Sequence, residues 1–95
     1  MTRFWLTPLA EGDLEDIHDY IAENSPANAD RFTDSLMEEC KIIRDYPCIG
    51  RERTELGSGV RGFPTGDYVV LYRKVGSDVD ILRFLHARRN IKSLF

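Results

Sequence analysis

The chain reads as an α+β fold: an N-terminal strand, an αα-hairpin, then a three-stranded antiparallel sheet, in the order β-α-α-β-β-β. Three observations predict it. Apolar residues recur at helical spacing from residue 8 to residue 45, and the period changes to strand after residue 58. Two Thr/Ser-Pro pairs mark helix starts, at Thr7-Pro8 and Ser25-Pro26. Finally, Gly76-Ser77 sits between two β-prone runs, as a two-residue hairpin turn does. Helices first and strands afterwards give segregated layers, and 95 residues suit a single domain spanning 1–95.

Each element follows from local chemistry. Arg3-Phe4-Trp5-Leu6-Thr7 is aromatic and β-prone, a short strand. Helix one is expected from Pro8 to Glu23, with Ala10, Leu14, Ile17 and Ile21 on one face. Its acids, Asp13 among them, read as a solvated face, and those in the first turn suit the helix dipole. Helix two is expected from Pro26 to Asp45, with Ala29, Phe32, Leu36, Cys40 and Ile43 as its stripe and Pro47 beyond its end. So short a connection makes the two antiparallel neighbours. Residues 48–58 read as a surface loop, 59–64 as a strand, 65–67 as a turn, Tyr68–Val75 as the strongest strand and Asp78–Leu85 as its return. A basic tail, His86 to Phe95, follows.

A two-residue turn at Gly76-Ser77 places Val75 opposite Asp78, Arg73 opposite Asp80 and Tyr72 opposite Ile81. Continued unbroken, it places Val70 opposite Arg83 and Tyr68 opposite Leu85. One face then carries Tyr68, Val70, Tyr72, Ile81, Arg83 and Leu85; the other carries Val69, Leu71, Arg73, Asp80, Leu82, Phe84 and His86. Alternation does not say which face the helices cover. Arg73 reads as a cross-strand ion pair with Asp80. Arg83 has no acidic neighbour in this register, which makes it the better functional candidate.

Composition narrows the function. Hydrophobic residues make up 42% and charged residues 31%, a globular balance rather than a disordered or membrane-spanning one. The N-terminus has no long apolar run, so a cytoplasmic location is expected. Cys40 and Cys48 read as buried or half-buried free thiols near a helix end, and no cofactor or metal site is expected from the spacing of acids and histidines. Residues 1–48 hold 4 basic and 11 acidic residues, residues 49–95 hold 9 basic and 5 acidic, and together they give the net charge of −3. A basic face built from the second half suits an anionic partner, nucleic acid or an acidic protein segment. Metal-free RNA cleavage would need Glu55 and His86 as acid and base, with Arg61, Arg83 and Arg88 stabilising charge. A lone histidine after a strand also reads as structural.

The residues resemble a known family along nearly the whole chain. Leu6-Thr7-Pro8-Leu9-Ala10 with Asp13-Leu14, Ile17 and Tyr20-Ile21 is similar to the first strand and helix of ParE-type toxins in the ParE/RelE superfamily. Pro26-Ala27-Asn28-Ala29 with Arg31-Phe32 resembles the second helix, and Pro47-Cys48-Ile49-Gly50-Arg51 with Glu55-Leu56 the central loop. Val60-Arg61, Tyr68 to Arg73 and Ile81 to Arg89 resemble the sheet and tail. The resemblance implies the β-α-α-β-β-β fold and an antitoxin of the ParD kind whose C-terminal segment wraps the toxin. For ParE members it implies poisoning of DNA gyrase, and for RelE members cleavage of mRNA on the ribosome.

Two departures separate these outcomes. Nuclease relatives tend to carry an arginine at the start of the central strand, where this chain has Asp67-Tyr68-Val69-Val70. They also tend to place a tyrosine or histidine in the tail, where this chain has neither after His86. The expectation is a non-enzymatic gyrase inhibitor with no catalytic residue and no sequence-specific DNA binding of its own. Its candidate target contacts are Arg61, Arg73, Arg83, His86, Arg88 and Arg89. An mRNA interferase, and a decayed toxin that only binds antitoxin, are the alternatives.

Overall fold

The computed structural model describes residues 2–89 and 91–95. Strand β1 (Phe4–Leu6) leads into helices α1 (Pro8–Ala22) and α2 (Pro26–Asp45), then come β2 (Arg51–Glu52), a 3-10 turn at Thr54–Leu56, β3 (Val60–Thr65), β4 (Tyr68–Val75), β5 (Asp78–His86) and the short helix α3 (Ile91–Leu94). Both expected caps form. Thr7 Oγ1 accepts from the Ala10 N–H and Ser25 Oγ from the Asn28 N–H, each at 3.2 Å, with proline at the first helical position.

The sheet differs from the expected three strands. It has five, in the order β1-β5-β4-β3-β2. The N-terminal strand joins the same sheet, parallel to β5, with Phe4 opposite Val79. Part of the expected loop supplies β2, antiparallel to β3. Two residues are too few to show a period, so β2 carries no alternation to read. The tail also folds, into α3, and seats the buried Ile91 against Val69, Leu71 and Leu85.

The β4–β5 register needs a second correction. It holds from Val75–Asp78 to Tyr72–Ile81, then shifts, so that Leu71 pairs with Arg83, Val70 with Phe84, Val69 with Leu85 and Tyr68 with His86. Leu82 is the extra residue of a β-bulge. Its carbonyl accepts from Thr7 Oγ1 at 2.9 Å, while the Thr7 N–H donates to the Ile81 carbonyl at 3.0 Å. One threonine thus caps α1 and satisfies the bulge. The shift moves Phe84 onto the helix-covered face with Val70, Tyr72, Val79 and Ile81, and His86 joins Tyr68 at its margin.

Helix packing follows the two stripes. Ala10 and Ile17 of α1, and Leu36, Cys40 and Ile43 of α2, are buried against that sheet face, with Leu14, Ile21 and Phe32 at its margin. Each fully buried aliphatic side chain contributes about 2 kcal/mol from removal of apolar surface. Burial pushes the Cys40 thiol up to about 12, so it stays protonated. Cys48 is exposed, against the expectation of burial, because it lies past the helix in the turn after Pro47.

The helical hairpin also carries a pH-sensitive clamp. His18 Nε2 lies 2.7 Å from Asp30 Oδ1, and this hydrogen bond raises the imidazole above its ordinary value of 6.5, opposed by desolvation and helped by the charges of Asp30 and Asp19. A raised folded-state pKa gives stability that is present below pH 6.5 and lost as pH rises through the raised value. Melting of the wild type should therefore fall slightly more between pH 5.5 and 8.5 than melting of Asp30→Asn. Equal pH slopes would remove the clamp.

Candidate functional site

A cleft of about 810 Å³ opens where the middle of α1 and the start of α2 meet the β3–β4 turn and the end of β5. Its wall is aromatic. Tyr68 stands between Phe32, with ring centroids 5.5 Å apart, and His86, at 5.2 Å and near-perpendicular. Tyr20 of α1 lines the same cleft and is exposed. Burial raises the Tyr68 phenol, Tyr20 adds to the rise and Arg89 opposes it, so the phenol is a neutral hydrogen-bonding group at physiological pH. His86 Nδ1 accepts from the Arg88 backbone N–H at 3.2 Å, which assigns the proton of the neutral ring to Nε2. The histidine thereby closes the turn after β5.

Arg83 is placed differently from expectation. It stands on β5 just past the Ile81 that pairs with the end of β1, beside the start of α1. Its Nε and Nη2 reach Asp13 Oδ2 and Oδ1 at 2.7 and 2.9 Å, and Nη1 donates to the Leu94 carbonyl at 3.0 Å. Asp13 Oδ2 also accepts from the Phe84 N–H at 3.0 Å. The arginine therefore does have an acidic partner; the bulge brings it to one in the helical layer. The hydrogen bond to Asp13 raises its pKa further, so it is a fixed cation.

The other sequence candidates scatter. Arg61 donates to the Gly50 carbonyl at 2.8 Å and reaches Glu52 at 3.3 Å, which ties down the segment after α2. Arg73 lies opposite Asp80 but, among the described residues, forms no ion pair with it. Arg88 and Arg89 are exposed beyond β5, and Arg89 also lines the cleft. Glu55 is held by Arg53 Nε at 2.8 Å, which lowers its pKa, and it does not line the cleft that holds His86. Of the groups an RNA-cleaving site would require, Arg83 and His86 line the same cleft, but Arg83 is held there by Asp13, while Glu55 and Arg61 lie outside that lining and pair elsewhere.

Sequence reasoning missed Asp13, Tyr20, Phe32 and Tyr68 as site residues. Asp13 carried a signal. It lies three residues after Ala10 and four before Ile17, on the apolar face of α1, where an acid needs a partner. Apolar and aromatic side chains share the lining with Asp13, Asp16, Asp67, Arg83, His86 and Arg89, a mixed surface suited to recognition.

Residues 5–91 match the family profile described as the ParE toxin of the type II toxin–antitoxin system, parDE. The chain is 33% identical over 92 residues to Toxin ParE3 of Caulobacter vibrioides, covering 96% of this chain and 92% of that protein. It is 31% identical over 94 residues to Toxin ParE1 of the same organism, covering 98% and 97%. A solved structure described as the chromosomal ParDE TA system from P. aeruginosa shares the fold, with TM-score 0.77, 24% identity and coverage of 93% of this chain and 97% of that one. The chain belongs to the ParE family, the toxin component of type II toxin–antitoxin systems.

Proposed function

We propose that this toxin acts by binding DNA gyrase in the cytoplasm, without catalysing a reaction, and that a ParD-like antitoxin neutralises it. One observation carries the choice of binding over cleavage: Glu55, Arg61 and Arg83 are each engaged elsewhere, to Arg53, to Glu52 with Gly50, and to Asp13. Family membership supports the toxin role. No described helix is long and apolar enough to cross a membrane.

Among the sequence candidates, Arg73, Arg88 and Arg89 are the target contacts we retain, because their guanidinium groups are exposed and unpaired among the described residues. His86 presents a recognition edge in the cleft. Arg61 and Arg83 act as positioning residues. A net charge of −3 works against DNA binding by the toxin alone.

The purified toxin should inhibit gyrase supercoiling, leave cell-free translation intact, and lose inhibition when antitoxin is added. Arg88→Glu with Arg89→Glu should weaken inhibition at least about tenfold, or 1.4 kcal/mol, with little change in melting. Intact supercoiling at saturating folded toxin, or cleavage of mRNA in the translation assay, would overturn this reading.

A further inference from the structure

A second groove, of about 490 Å³, lies on the sheet face opposite α1 and α2, beside α3. Its floor is aliphatic: Val69, Ile91, Pro64 and Ala87 surround Gly62. Its rim is cationic, with Arg51 and Arg53 from one side and Arg89 and Lys92 from the other. No acidic residue lines it among the described residues. Arg53 shares its Nε with Glu55, whereas Arg51, Arg89 and Lys92 form no ion pair among the described residues. In a chain with net charge −3, this is a local excess of positive charge over an apolar floor, with Glu55 offsetting part of it at Arg53 and Arg51.

We propose that this groove seats an acidic, aliphatic segment of the toxin's protein target. Charge complementarity requires an anion, and two observations favour a peptide over nucleic acid. Among the described residues no aromatic side chain lines the groove, so unpaired bases have nothing to stack on. The acidic helical layer opposes a long polyanion at a distance, while a short segment meets mainly the local cations within a Debye length. Aliphatic side chains of the segment cover Val69 and Ile91, and its carboxylates face Arg51, Arg89 and Lys92. Arg89 lines both this groove and the aromatic cleft, so the occupant is continuous with the surface assigned to target binding. The inference deepens the target-binding reading and rests on it for the identity of the partner, but not for the chemistry of the groove.

The test has two arms. In the first, the 15N-labelled toxin is titrated with a synthetic peptide of repeating Glu-Glu-Leu, its Gln-Gln-Leu counterpart and an oligo-dT of equal charge. The acidic peptide should shift the amides of Gly62, Val69, Ala87 and Ile91 and bind at least tenfold more tightly than the other two. Arg51→Glu with Lys92→Glu should weaken that binding at least tenfold, and Arg31→Glu, an exposed charge on α2, should not. In the second arm the Arg51→Glu/Lys92→Glu protein should lose at least tenfold of its inhibition of supercoiling and keep its affinity for antitoxin.

Shifts that are absent or lie elsewhere would overturn the groove. Tighter binding of oligo-dT would assign it to nucleic acid, and loss of antitoxin affinity with inhibition retained would assign it to the antitoxin; either result overturns the proposal. A wild type that fails to inhibit gyrase, yet gives the expected peptide shifts, would defeat the gyrase reading and leave the groove standing.

Discussion

Asp13→Ala is expected to destabilise the fold by about 3 kcal/mol, the larger part of it from what the substitution leaves behind. Arg83 would keep its charge with its side chain only 16% exposed, and the Phe84 N–H would lose its acceptor. Removing one partner of a buried pair costs about 3–5 kcal/mol, and the remaining water access places this pair at the lower end. For a chain of this size the loss corresponds to a fall in Tm of roughly 12–24 °C. Asp16→Ala removes the same charge one turn away from an exposed position without an ion pair among the described residues, and should stay within about 0.5 kcal/mol of the wild type. Thermal unfolding of the three proteins decides. Similar melting of the two variants would mean that the Asp13–Arg83 contact contributes no more than a surface pair.

The consequence extends to function. Arg83 also holds the Leu94 carbonyl, and α3 carries Lys92 and seats Ile91 on the groove floor. Loosening Arg83 should speed hydrogen exchange at the Phe95 amide, which bonds to the Ile91 carbonyl. Inhibition of the target should fall with it, although Asp13 lies in the other layer.

The helices were legible because their signals are local. Thr7-Pro8 and Ser25-Pro26 specify both starts through backbone chemistry that needs no tertiary context, and α2 runs over the residues its stripe implies. The sheet was legible only where it is regular. A bulge leaves no mark on the hydrophobic period, so Leu82 shifted Phe84 and His86 to the other face, and Arg83 met Asp13 across 70 residues of chain. The parallel pairing of β1 with β5 is likewise a long-range property of the folded chain. Charge type was readable and charge commitment was not. The second half was recognisably basic, but which arginines are free depends on where Glu52, Glu55 and Asp13 end up.

Gly50→Ala should cost about 3 kcal/mol through crowding and lost hydrogen bonds, while Gly12→Ala should stabilise the same protein by about 1 kcal/mol. The contrast rests on space. A Cβ at Gly50 would stand 2.5 Å from the Tyr72 hydroxyl oxygen and 2.7 Å from its ring Cε1. The ring is fully buried in the core, so it has no room to retreat. If the backbone at Gly50 moves instead, it gives up the N–H donated to the Tyr72 oxygen at 2.8 Å and strains the bond from that hydroxyl to the Pro47 carbonyl at 2.7 Å. It also pulls its own carbonyl away from Arg61. Gly12 lies exposed within α1, nothing stands within 4 Å of its would-be Cβ, and alanine there only reduces the entropy of the unfolded chain and improves helix propensity. Unfolding midpoints in denaturant should therefore move in opposite directions. Movement of both the same way would show that Tyr72 yields. Because Arg51 follows Gly50 directly and forms the groove rim from β2, displacing that segment should also weaken the acidic-peptide binding tested above. A change that leaves every charge in place would thus reduce recognition by moving one of them.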